Sequence, residues 1–356
     1  MKTVRVLIVE DSAFMRRIIN DIISETPDLE VVATAKDGVD ALKKIKDYKP
    51  DVLTMDLEMP RMDGIETVRH IMAENPLPVI MLSSHTKVGS ESTLKALDAG
   101  AVDFISKPSR NLSGSFEDSV EELKNVLPQK IIAASTAKVD LIAPQKTVVH
   151  DGAKKYALRT GRKETAGVIV AIGASTGGPK ALEILFKNLS PDLPAAVMLS
   201  QHMPPGFTLS FAQRLDLFSP LKVKEAEQGD ALLKGQALVA PGGYHLVLHN
   251  KTVALDSGPR VNYVRPSIDV MLESLVDCEH SVVVVIMTGM GKDGAAGTKV
   301  LKQKKKDTVV IIQDPSTALI PSMPSALQKD GLSDIQLPVE RIAAEIERHT
   351  RLFSKQ

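Results

Sequence analysis

The sequence contains a single cysteine, no excess of either charge and no long apolar run, and each shortage excludes a class of protein. One cysteine, Cys278, cannot form an intramolecular disulfide, which is typical of proteins in a reducing compartment. Lys and Arg together number 44, as do Asp and Glu, so no overall field attracts nucleic acid or an anionic membrane. No apolar run approaches the ~20 residues of a membrane span, and the first residues lack a signal-peptide core. We therefore expect a cytoplasmic protein that binds no nucleic acid and inserts into no membrane.

The length and composition predict two globular domains. Hydrophobic residues make up 43% of the 356 residues and charged residues 25%, which is ordinary for globular proteins. At roughly 150 residues per domain, this length favours two domains. We predict a first domain at residues 1–127, a linker at 128–165 and a second domain at 166–356. The linker assignment depends on weak apolar periodicity and on a run of basic residues that few aromatic residues accompany: Lys154, Lys155, Arg159, Arg162 and Lys163.

The first domain alternates short apolar runs with amphipathic stretches. Predicted strands fall at residues 4–9, 30–35, 51–55, 79–83 and 103–106, with helical patterns between them. Five such β-α units predict a doubly wound parallel sheet. In this α/β fold class, ligands bind beyond the carboxyl ends of the strands.

Polar residues occur at those strand ends, namely Glu10, Asp11, Asp56, Ser83, Ser84 and Lys107. Three carboxylates at one edge of a sheet repel each other unless a cation neutralises them, and oxygen ligands suit Mg²⁺. Lys107 and a hydroxyl group are suited to hold the oxygens of a phosphoryl group on one of the carboxylates. A lone aspartate at a strand end is usually a helix cap or a solvated charge, but the coincidence of several such groups favours a site.

Three segments of the first domain resemble the receiver domain of two-component response regulators: residues 7–12 (Leu-Ile-Val-Glu-Asp-Ser), 51–60 (Asp-Val-Leu-Thr-Met-Asp-Leu-Glu-Met-Pro) and 104–108 (Phe-Ile-Ser-Lys-Pro). The resemblance implies that Asp56 accepts a phosphoryl group from a partner histidine kinase. It also implies roles for the remaining residues, with Glu10 and Asp11 holding Mg²⁺ beside Asp56, Ser83 and Lys107 contacting the phosphoryl group, and Phe104 as the switch aromatic. Glu10 stands where aspartate is commoner, so the charge is kept on a longer side chain.

The second domain also alternates strands and helices, and one strand ends in a glycine-rich turn. Predicted strands fall at residues 168–172, 195–199, 237–240, 282–287 and 309–312, and several are continuous apolar runs typical of a sheet covered on both faces. Ser175 lies in the turn after the first of these strands. In such a turn a serine presents an exposed nucleophile beside free helix N–H groups, or it caps the helix.

Two further polar residues follow neighbouring predicted strands, His202 and Asp293. With Ser175 they supply the hydroxyl nucleophile, the general base and the orienting carboxylate of a hydrolase triad. Their order along the chain, Ser-His-Asp, differs from the Ser-Asp-His order of α/β-hydrolases. Residues 289–294 also match the dinucleotide fingerprint Gly-x-Gly-x-x-Gly, although a carboxylate at position 293 is unfavourable beside a pyrophosphate.

Five segments spanning the second domain resemble the chemotaxis methylesterases of the CheB family: residues 173–179, 201–207, 240–245, 265–270 and 287–294. The resemblance implies a Rossmann-like three-layer domain that hydrolyses glutamyl methyl esters of methyl-accepting chemotaxis receptors, with deamidation of receptor glutamines at the same site. It implies that Ser175 is the nucleophile, His202 the base and Asp293 the orienting carboxylate, with no metal required. The backbone N–H groups of Thr176 and Met290 are candidates for the oxyanion hole.

The combination predicts an esterase activated by phosphorylation, with a chemotaxis histidine kinase as the donor. The competing class is a non-enzymatic response regulator whose second domain binds a partner or a nucleotide. No helix-turn-helix pattern is apparent, which disfavours a transcriptional output.

Overall fold

The computed structural model describes residues 3–84, 86–109, 115–137, 139 and 164–355. The chain divides into two compact units, residues 1–148 and 149–356. Within the described residues, no helix combines the length and the apolarity that a membrane span requires.

The first unit is a five-stranded sheet with helices between successive strands. Its elements are β1 (Val4–Val9), α1 (Ala13–Ser24), β2 (Leu29–Ala35), α2 (Gly38–Tyr48), β3 (Val52–Asp56), α3 (Gly64–Glu74), β4 (Val79–Ser83), α4 (Lys87–Ala99), β5 (Asp103–Ser106) and α5 (Phe116–Ser135). All strand pairs are parallel, in the order β2-β1-β3-β4-β5. This is the flavodoxin-like arrangement, in which the chain reverses direction beside β1 and β3.

Local sequence explains where the helices of this unit begin. The residue before each of α1 to α5 is Ser, Asp or Thr, and its side chain accepts a hydrogen bond from an N–H of the first turn. Ser115 and Asp118 form a complete capping box at the start of α5. The strands between these helices are apolar, and β3 and β4 are buried along their whole length. The polar residues at the carboxyl ends of these strands are therefore attached to a rigid backbone.

Helix α5 ends at Ser135, so the predicted start of the linker at residue 128 is too early. Pro128 lies inside the helix, where it removes one hydrogen bond. Ile131 and Ala134 continue the buried stripe of Leu123 and Leu127 at helical spacing, and their burial offsets that loss. Residues 138 and 140–163 of the predicted linker lie outside the described residues. The remaining division into domains stays a prediction.

The second unit contains a larger sheet and a separate hairpin. Its elements are β6 (Val168–Ala174), α6 (Gly178–Lys187), β7 (Ala196–Gln201), α7 (Phe207–Phe218), β8 (Lys222–Glu225), β9 (Gln236–Val239), β10 (His245–His249), β11 (Thr252–Asp256), α8 (Ile268–Glu273), β12 (Ser281–Ile286), α9 (Ala295–Lys304), β13 (Val309–Gln313), α10 (Ser322–Lys329), β14 (Ile335–Leu337) and α11 (Val339–Phe353). The seven-stranded sheet is parallel throughout, in the order β14-β13-β12-β6-β7-β9-β8, and β10 pairs with β11 in an antiparallel hairpin.

The strand order of the larger sheet places its crevice beside β6. From β6 the chain proceeds to β7, β8 and β9 on one side and then crosses to β12, β13 and β14 on the other. The carboxyl ends of β6, β7 and β12 are therefore neighbours at the point where the order reverses, which is the usual ligand site of such sheets. The predicted α/β class, with two doubly wound parallel sheets, is confirmed.

Candidate functional site

Ser175 follows the fully buried strand β6 and is itself only 7% exposed. Helix α6 begins after Gly177, which has a φ of 77° and provides no side-chain cap. The hydroxyl of Ser175 is instead directed to His202, with Oγ 3.1 Å from Nδ1. The alternative interpretation of Ser175 as a capping residue is therefore wrong.

His202 follows β7, and hydrogen bonds at its N–H and at its carbonyl hold its backbone in place. Its backbone N–H donates to the carbonyl of Ala174 at 3.1 Å, which joins it to the end of β6. The buried side-chain amide of Gln201 donates to the carbonyls of Ser175 at 3.0 Å and of His202 at 3.2 Å. One amide group thus links the backbones on which the serine and the histidine are carried.

Asp293 lies in the loop after β12, and its carboxylate accepts four hydrogen bonds, two on each oxygen. Its Oδ2 lies 2.7 Å from Nε2 of His202 and accepts the N–H of Ile268 at 2.7 Å. Its Oδ1 accepts the hydroxyl of Ser267 at 2.8 Å and the N–H of Asp269 at 3.0 Å. Burial by itself raises the pKa of a carboxyl group, but the hydrogen bond and charge of His202 and these backbone donors outweigh it, and the pKa of Asp293 is lowered. Asp293 is therefore an anion near neutral pH.

These contacts determine the tautomer of the imidazole. The Asp293 carboxylate can only accept, so Nε2 of His202 carries the proton. Nδ1 is then the unprotonated nitrogen, and it faces the hydroxyl of Ser175. The arrangement is suited to remove the proton of Ser175 and to stabilise the imidazolium that forms.

The backbone of Gly289 passes directly beside Ser175. A Cβ atom on Gly289 would lie 2.8 Å from the Cβ of Ser175 and 2.1 Å from the Sδ of Met323, which is fully buried. The next residue is Met290, so the N–H proposed for the oxyanion hole belongs to a segment that contacts the serine. Thr176 follows Ser175 directly and is 3% exposed.

Substitution of Gly289 by alanine is expected to lower both stability and activity. The new methyl group overpacks the core, at a cost of about 1–3 kcal/mol in the free energy of unfolding. It also displaces Ser175, and a shift of about 1 Å reduces turnover by about 10²-fold. Urea unfolding and ester hydrolysis measure the two effects. Gly167→Ala is the matched control because no atom lies within 4 Å of its Cβ position; equal behaviour of the two variants would contradict this packing.

The dinucleotide interpretation of residues 289–294 is wrong for this geometry. A pyrophosphate requires unoccupied N–H groups at the start of the following helix. In this structure the N–H groups of Gly294 and Gly297 donate to Oδ1 of Asp269 at 2.9 and 2.7 Å. Asp293, in the same turn, is held by His202. Carboxyl groups of the protein therefore occupy the anion-binding position.

Three residues of this network were not singled out from the sequence: Gln201, Ser267 and Asp269. Each lies in a segment that carried the family resemblance, but nothing in their spacing showed a link to Ser175 or Asp293. The hydrogen bonds that link these three residues to the site join positions 24 to 28 residues apart in the chain.

In the first unit, Glu10, Asp11 and Asp56 offer carboxylate oxygens that all lie within 4.8 Å of one another. Nζ of Lys107 lies 2.9 Å from Oε2 of Glu10 and 2.7 Å from Oδ1 of Asp56. Burial and the charge of Asp56 raise the pKa of Glu10, and burial raises the pKa of Asp56. Burial alone lowers the pKa of an ammonium group, but the hydrogen bond and charge of Asp56 reverse this for Lys107, whose pKa is raised. The cluster is short of positive charge, and its oxygen donors fit a hard divalent cation.

Ser83 lies on β4, the strand next to that of Asp56, and Phe104 lies on β5, one strand further along the sheet. Ser83 follows Leu82, the register partner of Asp56, and its buried hydroxyl accepts from Thr93 at 2.7 Å. It faces α4 through a 3.3 Å bond to the Gly89 carbonyl. Phe104 is 3% exposed, with Nζ of Lys130 5.9 Å from its ring centre. Their roles at a phosphoryl group stay predictions.

Comparison with known proteins matches both units. Residues 170–346 match the family model of the CheB methylesterase, and residues 6–113 that of the response regulator receiver domain. A protein-glutamate methylesterase/protein-glutamine glutaminase of Symbiobacterium thermophilum is 45% identical over 355 residues, which cover 98% of this chain and 97% of the relative. One of Geobacillus kaustophilus is also 45% identical, over 97% of this chain and 98% of the relative. The crystal structure of the Thermotoga maritima CheB methylesterase catalytic domain is 40% identical, with a TM-score of 0.49, over 52% of this chain and 99% of that chain.

The two units define a response regulator whose output domain is an ester hydrolase. The chain belongs to the CheB methylesterase family, with a receiver domain in front of the esterase domain. The resemblance drawn from the sequence is thereby confirmed, and the presence of a receiver domain implies control by phosphorylation from a kinase.

Proposed function

We propose that this protein hydrolyses glutamyl γ-methyl esters on chemotaxis receptors, and deamidates receptor glutamines at the same site, with Ser175 as the nucleophile. The observation that carries the proposal is the continuous hydrogen-bonded chain from Ser175 through His202 to Asp293. The names of the similar proteins supply the substrate class, glutamyl esters and glutaminyl amides of proteins.

The proposed reaction is acyl transfer in two steps. Nδ1 of His202 takes the proton of Ser175 as the serine oxygen attacks the ester carbonyl, and the resulting imidazolium returns the proton to methanol as it leaves. Water then attacks the acyl-enzyme with His202 again as the base, which releases the glutamate and restores Ser175. Asp293 holds the ring and balances its positive charge. With a glutamine substrate, ammonia replaces methanol as the leaving group.

We assign the oxyanion of this reaction to the backbone N–H groups of Thr176 and Met290. Thr176 follows the nucleophile directly, and Met290 follows the glycine whose backbone contacts it. Donors directed at the developing charge stabilise the transition state more than the substrate.

We assign phosphorylation to Asp56, with a chemotaxis histidine kinase as the donor. Glu10, Asp11 and Asp56 are the ligands for Mg²⁺, which neutralises the charge of the carboxylates and of the phosphoryl oxygens when bound. Lys107 is already within 2.7 Å of Asp56 and is placed to pair with the phosphoryl group. Ser83 is assigned to a phosphoryl oxygen and Phe104 to the switch that follows.

Methanol release from methylated receptor membranes tests the proposal. The full-length protein is assayed with and without a small phosphodonor such as acetyl phosphate, in the presence of Mg²⁺. We expect release in both conditions and a faster rate with the donor. Absence of methanol release under both conditions would favour the competing class, a response regulator that acts by binding alone.

Replacement of Asp56 by asparagine is expected to abolish the stimulation by phosphodonor while the unstimulated rate remains. Asparagine has the shape of aspartate but forms no acyl phosphate, so the change removes the acceptor without removing packing. The same methanol assay measures the ratio of stimulated to unstimulated rates. Asp47→Asn, an exposed substitution in α2, is the control and keeps the full stimulation. Stimulation of Asp56→Asn at the wild-type ratio would place the acceptor elsewhere.

A further inference from the structure

Asp269, at the start of α8, is a second buried carboxyl group beside Asp293. It is 6% exposed, and its own backbone N–H donates to Oδ1 of Asp293. Two carboxyl groups so close in a buried site do not both ionise without a large repulsion. Asp293 faces His202 and has four donors, so it is the member that retains the negative charge.

The hydrogen bonds of Asp269 show which of its oxygens is able to carry a proton. Oδ1 accepts the N–H groups of Gly294 and Gly297, and these two donors occupy both of its lone pairs. Oδ2 lies 3.5 Å from the side-chain amide of Asn262, a long contact. A proton on this carboxyl group therefore resides on Oδ2.

We propose that Asp269 is a positioning residue for ester hydrolysis, and that it acts in its protonated form, in which its backbone N–H binds Asp293 and its Oδ1 binds the start of α9 without a second negative charge beside Asp293. The proposal rests on the proposed function, in which Asp293 orients His202. The neutral carboxyl group ties Asp293 to the first turn of α9, so that the carboxylate keeps one orientation toward the imidazole. Its ionisation places a second negative charge beside Asp293, and the repulsion between the two carboxylates disturbs that orientation.

The electrostatic surroundings of Asp269 agree with a neutral carboxyl group. Burial and the charge of Asp293 raise the pKa of Asp269 to about 7. Of the strands packed against α8, β6 and β7 carry no titratable side chain, and β10 carries His245. Both ring nitrogens of His245 are engaged, with Nδ1 accepting from Ser267 and Nε2 at 3.0 Å from the carbonyl of Pro259.

The remaining charges around α8 lie at a distance or in solvent. The lysines of α9 are exposed or directed to other partners; Lys302 pairs with Asp334. His249 on β10 and Glu273 on α8 are exposed. His202 lies on the far side of Asp293. No cation in contact with Asp269 is found among the hydrogen bonds and ion pairs of residues 164–355. The N–H groups of Gly294 and Gly297 favour its ionised form, but burial and the charge of Asp293 outweigh them.

Two substitutions at this position distinguish a positioning role from a structural one. In Asp269→Asn the amide oxygen accepts from Gly294 and Gly297 and the side chain carries no charge, which reproduces the protonated acid at every pH. We expect kcat for methanol release within about threefold of wild type at pH 6. Asp269→Ala loses the hydrogen bonds to Gly294 and Gly297 and is expected to lower kcat by about 10²-fold. Asp277→Asn, an exposed change nearby, is the control.

The pH profile is the decisive measurement. Wild-type kcat is expected to fall as pH rises through about 7, because Asp269 then loses its proton, and this fall is expected to be absent in Asp269→Asn. The melting temperature gives a second measurement, and like kcat it is expected to fall as the pH rises. The native state retains a proton that the unfolded chain releases above the usual pKa of 3.8, so wild-type Tm is expected to drop relative to Asp269→Asn between about pH 4 and 7.

Either of two results overturns the proposal: an Asp269→Asn protein that is folded but as slow as Asp269→Ala, or one that keeps the wild-type fall above pH 7. If Asp269→Ala does not fold, the pH profile of Asp269→Asn decides alone. Failure of the proposed function is a separate result, since it is seen as full activity of a protein that lacks Ser175.

Discussion

Replacement of Ser175 by alanine is expected to lower kcat for methanol release by about 10⁶-fold, the size of effect that loss of a serine nucleophile has in hydrolases of this kind. The reason is that His202 and Asp293 act only through the serine oxygen. Without that oxygen no acyl-enzyme forms, and the remaining groups have only a bound ester and water on which to act. The side chain is small, and its removal leaves β6 and the start of α6 in place.

The measurement requires a pure protein with demonstrated folding, because a trace of wild-type enzyme exceeds the residual rate. Circular dichroism and urea unfolding establish the fold of Ser175→Ala, and methanol is counted from labelled receptor methyl esters. Ser354→Ala, at the exposed end of α11, is the matched control and retains the wild-type rate. A Ser175→Ala protein that demethylates receptors normally rejects the nucleophile and favours a binding role for the domain.

The second large effect is expected for Asp293→Asn, with a loss of about 10⁴-fold in kcat. The carboxylate accepts four hydrogen bonds, two on each oxygen, and every partner is a donor. An asparagine amide group places an NH₂ against two of these donors. If the NH₂ faces His202, the imidazole must present an unprotonated Nε2, and the proton then moves to Nδ1, where it blocks acceptance from Ser175.

The same substitution is expected to destabilise the fold by about 1–3 kcal/mol, because buried donors lose their acceptor. Rate and free energy of unfolding are both measured at neutral pH, where Asp293 is ionised in the wild type. Asp307→Asn, at an exposed position before β13, is the control and changes neither. Wild-type turnover by Asp293→Asn would show that the carboxylate does not set the tautomer of His202.

The fold class was accessible from the sequence because the central strands are continuous apolar runs. β6 and β12 are buried on both faces, and such runs are distinct against the amphipathic helices between them. The strands that were missed are of another kind. β8 and β14 are short edge strands with exposed residues, and the hairpin of β10 and β11 lies outside the large sheet. Their formation depends on neighbours distant in sequence, which no local pattern encodes.

The end of the receiver region illustrates the same limit. Pro128 and the loss of strong periodicity favoured a helix end near residue 127, whereas burial of Ile131 and Ala134 keeps α5 intact to Ser135. Local propensity predicted a boundary, and tertiary packing moved it.

For the site, Ser175, His202 and Asp293 were predictable because chemistry restricts the residue types and the sheet restricts their positions. Their support was not predictable. Gln201 joins two backbone segments by its amide, Ser267 donates to Asp293, and the carboxyl group of Asp269 accepts N–H groups at the start of α9. These residues act by contact across the fold, and only coordinates bring them together.

The strands that precede Ser175, His202 and Asp293 hold these residues together until the second unit unfolds. β12, β6 and β7 are adjacent and central in the seven-stranded sheet, with β14 and β8 at its edges. Edge strands open in local fluctuations, whereas central strands exchange their amide hydrogens only when the whole unit unfolds. Partial opening at an edge therefore leaves Ser175, His202 and Asp293 aligned. Esterase activity should persist until the cooperative unfolding of the second unit, and its loss on heating reports the melting of that unit as a whole.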